Sequence, residues 1–461
     1  MAEAITPFQR HLKPNNMASL HNPFLYGNPV PPDRFFGRAM SVDTIYTRLN
    51  NGESTAVVGE PHVGKTSLLA FVADDRIKRR SLDTAKQQVF IEISCLSLPV
   101  DFKPADFWSD IILQLEPHCK SSETVLQHIG LLKQANFGSY LLERFFGKLN
   151  REGYRVVLLL DEFDVLLHHP NFNTAEFFGA LRTNATNVGG LALIIASRLG
   201  VAEINRRTAE INPVGSPFLN NFATERLYPL NRGEVDGLID YMLGDSPIIF
   251  SRDDRAFVHR VAGGHPFLVQ AASAAMFQQI AIRQQGSDRY TAASRRFYDS
   301  ISHHFSDLWR YFDSNAQAAL VLLTLGELEG KIQGRDFNIQ DLQDLDWYEP
   351  ELRKLADTGI VESEGDIPWT DLSSNFVRAG ERRWRVAPAS FIWWVALELL
   401  PKTRRGQEFE KWLHDREYEG VFTNKTRDKL LEMRQHIPTE FKEISWKLIR
   451  GFIAAHAGFA V

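Results

Sequence analysis

Apolar and polar positions follow two periods along this chain, and the pattern changes near residue 230. Before that point short apolar runs alternate with helical stretches. Ser54-Thr55-Ala56-Val57-Val58, Val89-Phe90-Ile91-Glu92-Ile93-Ser94, the run from Tyr154 to Leu160, the run from Leu191 to Ala196, and Arg226-Leu227-Tyr228-Pro229-Leu230 read as strands. Most are apolar without in–out alternation, as parallel strands covered on both faces are. Helical spacing starts at Ser67-Leu68-Leu69 and returns near 105–115, 137–149 and 174–184. Strands interleaved with helices predict a three-layer α/β domain. The stretch 212–222, with Pro213, Gly215 and Pro217, reads as a surface loop.

After Leu230 helical patterns dominate: 232–243, 253–262, 266–284 and a polar, aromatic-studded helix over 287–312. A small domain follows. Helices are expected at 316–328, 337–345 and 350–357, then a two-stranded wing from 359–362 and 382–386. That order is the winged-helix pattern, a variant of helix-turn-helix. A helix over 389–400 carries Trp393 and Trp394, and beyond Pro401 the chain is helical and amphipathic. The first residues are polar and Pro/Asn-rich (Asn22-Pro23-Phe24; Asn28-Pro29-Val30-Pro31-Pro32), which predicts an extended arm lying on the first domain. The expected boundaries are an arm over 1–30, an α/β core over 31–230, a helical lid over 231–312, a winged helix over 313–400 and a helical tail over 401–461.

The densest chemistry sits between the first strand and the first helix. Gly59-Glu60-Pro61-His62-Val63-Gly64-Lys65-Thr66 fits the phosphate-loop pattern G-x-x-x-x-G-K-[ST] in the strand–loop–helix context that it needs. Gly59 and Gly64 permit a tight, partly left-handed path. The amides of Gly59, Glu60, Pro61's neighbours, His62, Val63, Gly64, Lys65, Thr66 and Ser67 would then form an anion nest at a helix N-terminus. Lys65 supplies a cation for the β- and γ-phosphates of a nucleotide, and Thr66 offers a hydroxyl to Mg²⁺.

Other candidates fall at strand ends, where open parallel sheets bind ligands. The run from Tyr154 delivers Asp161 and Glu162, one to hold Mg²⁺ and one to polarise the attacking water. Asp164 reads as a turn or helix-cap residue. Ser197 and Arg198 end the next apolar strand, where a cation could contact the γ-phosphate. Phe35-Phe36-Gly37-Arg38 precedes the phosphate loop; Phe36 could pack under adenine and Arg38 could reach the nucleotide. Gly263-Gly264-His265-Pro266-Phe267 opens a later helix. Its bend could present His265 and Pro266 to adenine, or it could be a plain helix start with Pro266 at the first position.

Composition narrows the setting. The chain has 461 residues, 44% hydrophobic and 24% charged, with a formal net charge of −5. These values suit a globular protein and give no global bias toward nucleic acid or anionic membrane. The expected winged helix has a third helix of mixed charge, Glu349-Pro350-Glu351-Leu352-Arg353-Lys354, but a basic wing with Arg378, Arg382, Arg383 and Arg385. Cys95 and Cys119 are the only cysteines, and they make neither a zinc pattern nor a disulfide framework. A reducing cytoplasm fits that usage. The N-terminus lacks the parts of a signal peptide, and no run reaches the ~18 apolar residues of a membrane span. The last amphipathic segment, Trp446 to Ala455, could dock on its own chain, on a partner, or peripherally on a membrane.

Taken together, Phe35-Phe36-Gly37-Arg38, Gly59 to Thr66, Leu158 to Glu162, Ala196-Ser197-Arg198 and Gly264-His265-Pro266 resemble the STAND-type ATPases of the broad AAA+ class, signal-transducing ATPases of prokaryotic and archaeal type with a winged helix. The resemblance covers about residues 22–400. It implies that the Gly-Arg motif (Arg38) and the Gly-x-Pro motif (Pro266) help enclose the nucleotide, and that Arg198 contacts the γ-phosphate. The sequence departs from the pattern after Gly-Arg, where Ala39-Met40-Ser41 replaces the usual acidic residues, and it shows no winged-helix histidine of the kind some relatives use.

The expected function is an ATP- and ADP-binding, slowly hydrolysing cytoplasmic switch, with nucleotide between core and lid. Its nucleotide state would set interdomain arrangement and homo-oligomerisation in prokaryotic signalling or antiviral defence, with a protein activator or effector unidentified. Two alternatives stay open. One is a DNA-associated initiator, loader or transposition regulator using the winged helix on duplex DNA. The other is a nucleotide-stabilised scaffold with little hydrolysis.

Overall fold

The computed structural model describes residues 21–82, 86–186, 189–213, 215–328, 343–363, 377–379 and 382–395. The chain divides into two compact units. One is Pro29–Tyr228; the other runs from Pro229 and is joined by the segment ending at Asn28.

The first unit contains α1 (Ala39–Asn51), β1 (Thr55–Val58), α2 (Lys65–Ala73), α3 (Asp75–Ser81), β2 (Gln87–Ser94), α4 (Pro104–Leu115), α5 (Glu123–Gln134), α6 (Ser139–Arg151), β3 (Tyr154–Asp161), α7 (Ala175–Thr186), β4 (Leu191–Ser197), α8 (Val201–Thr208) and β5 (Ala223–Arg226). The strands form one sheet in the order β2-β3-β4-β1-β5, and every pairing is parallel. All residues of β1 and β4 are buried. The reason is visible in the packing, which splits each strand by its period of two. Val156, Leu158, Leu160, Leu191, Leu193 and Ile195 join the core with α4 to α8. Val157, Leu159, Ala192, Ile194 and Ala196 join the core with Ile45, Tyr46 and Leu49 of α1 and Leu68, Leu69 and Val72 of α2. Covering both faces removes any need for polar positions along the strands, so the three-layer α/β core expected from the apolar runs is the fold observed.

Two details differ from the sequence expectation. The last strand is Ala223–Arg226 rather than 226–230. It is a half-exposed edge strand that pairs only with β1, through Val58↔Arg226, so an apolar run is not required of it. The short helices α3, α5 and α8 also lie where no helix was expected.

In the second unit, α9 (Arg232–Leu243) and α10 (Arg252–Ala262) each open with a capping box, from Asn231 with Glu234 and from Ser251 with Asp254. The helix α11 (Pro266–Ala281) is buried over most of its length, and α12 (Gly286–Tyr311) follows it. Residues 22–26 pack here: Phe24 lies 5.7 Å from Phe250 and 6.3 Å from Phe277, and Asn22 Nδ2 donates to Ala274 O at 3.0 Å. The arm was expected on the first domain. Its residues 22–26 lie instead in the helical unit, whereas Val30 N donates to Ser67 Oγ in the first unit.

Next come α13 (Ser314–Leu328) and α14 (Glu349–Thr358), then β6 (Val361–Ser363), β7 (Val377–Ala379) and β8 (Arg382–Val386). The strands form an antiparallel sheet in the order β6-β8-β7, one strand more than the expected wing. Arg385 of β8 is buried and ion-paired with Glu362 of β6, whereas Arg383 is exposed. The expected helix over 337–345 falls mostly outside the described residues, and the tail over 401–461 does so entirely. Residues 389–395 are helical, with Trp394 packed on Phe305 and Trp309 of α12. Among the described residues, no helix is long and apolar enough to cross a membrane. Cys95 and Cys119 are free and buried.

Candidate nucleotide site

The site is built on the carboxyl edge of the first unit's sheet. The Gly59 amide donates to Ser197 O at 3.2 Å, tying the loop to the end of β4. A Cβ at Gly59 would stand 2.8 Å from Val63 Cγ1 and 3.2 Å from Leu227 O, so this approach is closed to any side chain. Gly64, at φ 104°, takes the left-handed turn into α2. No side chain caps α2. The amides of a helix's first turn have no carbonyl four residues back, the arrangement that suits an anion.

Lys65 folds back over its own loop. Its Nζ donates to Gly59 O at 2.7 Å and to Glu60 O at 2.8 Å, and the side chain is buried. Burial lowers its pKa to about 8; the charges of Glu60, Asp164 and Asp161 oppose that, and Arg198 adds to it. A phosphate group arriving beside it would favour the charged form. Thr66 Oγ1 donates to Asp161 Oδ2 at 2.6 Å, so the loop's hydroxyl and the strand-end carboxylate converge. The register Ser94↔Asp161 sets the last residues of β2 and β3 side by side. Ser94 Oγ donates to Glu162 Oε2 at 3.4 Å. The Glu162 pKa is raised, first by desolvation and then by the charge of Asp161.

Three of the residues singled out in the sequence hold left-handed backbone: Arg38 at φ 60°, His62 at φ 60° and Glu162 at φ 54°. For non-glycine residues such conformations cost about 1–3 kcal/mol each and cluster at functional sites. Arg38 sits at the N-cap of α1 and Phe36 is half-buried just before it. The neighbouring Phe35 is engaged elsewhere, stacked 4.5 Å from Phe71 of α2.

The structure thus gathers residues 59–67, Asp161, Glu162, Ser197 and Arg198 at one sheet edge. His265 and Pro266 belong to the other compact unit, where Pro266 is the first residue of α11 and His265 is its buried N-cap. The glycine before them has its own local reason. Gly264 O accepts from Leu230 N at 2.7 Å, and a Cβ on Gly264 would meet Leu230 O at 2.0 Å.

The Ser67 hydroxyl accepts from Val30 N at 3.1 Å. One side-chain role needs correction. Asp164 does not cap its own turn. It is buried and pairs with Arg198 Nε at 3.0 Å, and it accepts from Ser197 Oγ at 3.2 Å. Sequence reasoning also passed over Ser94. Its only signal was a hydroxyl at the end of a β-rich run, and only pairing with β3 gives that position meaning.

The family model of the AAA domain matches residues 48–203. No curated protein matches the chain. Among solved structures, a Walker-type ATPase of Pyrococcus abyssi is similar over 80% of this chain and 99% of its own, at 13% identity and a TM-score of 0.49. The ORC2 protein of Aeropyrum pernix, in ADPNP-ADP complexes, is similar over 82% of this chain and 97% of its own, at 16% identity and a TM-score of 0.47. Domain III of the Thermotoga maritima replication initiation protein DnaA is similar over 59% of this chain and 98% of its own, at 12% identity and a TM-score of 0.36. The chain thus has an α/β P-loop fold with a five-stranded parallel sheet followed by helices, and its residues 48–203 are similar to the AAA domain.

Proposed function

We propose that this chain binds ATP at the loop over 59–67, hydrolyses it slowly, and works as a STAND-type switch. Its nucleotide state would set interdomain arrangement and self-assembly. The observation that carries the reading is the meeting of Thr66 and Asp161 at 2.6 Å beside a buried Lys65 and a strand-end Glu162. In this reading Lys65 and the amides of α2's first turn bind the β- and γ-phosphates. A hydroxyl and a carboxylate in contact fit Mg²⁺, which is usually held by one or two protein ligands with water and phosphate oxygens completing the shell. Thr66 and Asp161 would hold that ion, and when bound it would neutralise charge on the phosphates. Glu162 accepts the proton of the attacking water as the bond from the γ-phosphorus to the bridging oxygen breaks, leaving ADP and phosphate. Arg198 takes up charge on the terminal phosphate. Arg38 and Phe36 are assigned to nucleotide enclosure, as are His265 and Pro266.

A nucleotide moves an equilibrium between two arrangements only by its differential affinity for them. The test is the mass of the chain in solution with ADP and with a non-hydrolysable ATP analogue. A larger assembly with the analogue alone is expected; a monomer with both counts against the switch.

A second reading, association with duplex DNA, draws on the exposed Arg383 of β8. The same sheet limits it, because Arg385 is neutralised by Glu362, and Arg353 of α14 is paired with Glu349 at 2.7 Å. Duplex binding through this region would weaken steeply with salt and would be lost on charge reversal at Arg382 and Arg383. No binding in low salt removes the reading.

A further inference from the structure

We propose that Asp164 is a positioning residue for Arg198, a buried anchor that aims the guanidinium at the terminal phosphate and so lets the site tell triphosphate from diphosphate. The proposal rests on the nucleotide-site reading above.

Asp164 lies three residues beyond Asp161, inside the 3-10 turn Phe163–Leu167. Its side chain is 7% exposed, and that of Arg198 is 46% exposed. A residue serving its own turn would bond to local amides. Asp164 instead reaches across to the end of β4. Its Oδ1 accepts from Ser197 Oγ and from Arg198 N, both at 3.2 Å, and its Oδ2 accepts from Arg198 Nε at 3.0 Å. The segment it holds is also tied to the phosphate loop, through Gly59 N to Ser197 O at 3.2 Å. Ser197 Oγ accepts from Leu199 N at 2.9 Å, which fixes the hydroxyl that Asp164 uses.

The consequence follows from the shape of arginine. The guanidinium is a rigid plane, so a bond at Nε fixes the direction of the whole fork. A lysine carries the same charge without that constraint. A buried ion pair is weak evidence for stability, because desolvation offsets much of the attraction. A pair with one buried and one half-exposed member is better suited to holding the exposed member in place. The charges of both Asp164 and Arg198 are felt at Lys65 and at Glu162, so the anchored cation lies within electrostatic reach of the phosphate cradle.

The experiment compares affinities for ADP and for a non-hydrolysable ATP analogue in the full chain. The variants are Arg198→Ala, Asp164→Asn, the double variant and Arg198→Lys. Arg198→Ala is expected to cut the preference for the triphosphate by about tenfold or more, the worth of one charge-assisted hydrogen bond. Asp164→Asn should reproduce most of that loss with ADP affinity within about twofold, and should add little in the Arg198→Ala background, as members of one unit do. Arg198→Lys should resemble Arg198→Ala. If Asp164→Asn fails to fold by circular dichroism, Arg198→Lys carries the test alone. A wild-type preference in Asp164→Asn or in Arg198→Lys, or full additivity in the double variant, overturns the positioning role while leaving the nucleotide site standing. A wild-type chain that binds neither nucleotide removes the site, and this role with it.

Discussion

Lys65→Ala is expected to weaken binding of ATP and ADP by roughly 30- to 5,000-fold, the about 2–5 kcal/mol that truncating one member of a buried charged contact costs. The size follows from where the ammonium sits. It is buried, it donates to the carbonyls of Gly59 and Glu60, and burial has already drawn its pKa down to about 8. A nucleotide's phosphates would supply the counter-charge that these carbonyls provide only as dipoles. Alanine removes that attraction and leaves the amides of α2's first turn as the remaining anion donors. Titration calorimetry with both nucleotides measures the loss, and a thermal melt shows whether the domain is intact. Wild-type affinity in a folded Lys65→Ala chain would mean that the loop does not hold phosphate.

Glu162→Gln gives the second large effect, in rate rather than affinity. Single-turnover ATP hydrolysis should fall by about 10²–10⁴-fold, the range for loss of a positioned general base, with nucleotide affinity changed only a few-fold. Glutamine preserves the size of the side chain and can still meet the Ser94 hydroxyl, but it cannot take the proton from water. The raised Glu162 pKa points the same way, since desolvation and the adjacent Asp161 make the carboxylate a better proton acceptor. The left-handed backbone at φ 54° directs the side chain, so an isosteric replacement keeps that direction. Hydrolysis at the wild-type rate would take Glu162 out of the chemistry. Negligible hydrolysis in the wild-type chain would favour the scaffold alternative over a switch.

The parts of this site that were legible in the sequence are contiguous. A phosphate loop joins its own strand to its own helix, so Gly59, Gly64, Lys65 and Thr66 carry their geometry in their spacing. Asp161 and Glu162 stand out for a similar reason, as two acids closing an apolar run. Covering both sheet faces made β1, β3 and β4 largely apolar, and that composition marked them to within a few residues. The edge strand β5 is half-exposed, has no such mark, and was displaced toward the apolar residues that follow it.

The sequence alone determined the α/β class, the phosphate loop and the acids at the strand end, because local chain stereochemistry and continuous burial write these into consecutive residues. Only the tertiary structure decided that Ser94 meets Glu162, that Asp164 serves Arg198 rather than its own turn, and that the Ser67 hydroxyl faces Val30. It also placed Phe24 in the helical unit. The first two assignments depend on which strand lies beside which and in what register, and the others on how distant segments pack. A carboxylate, a hydroxyl or a phenyl ring is chemically the same at either address, and contacts across tens of residues choose between them.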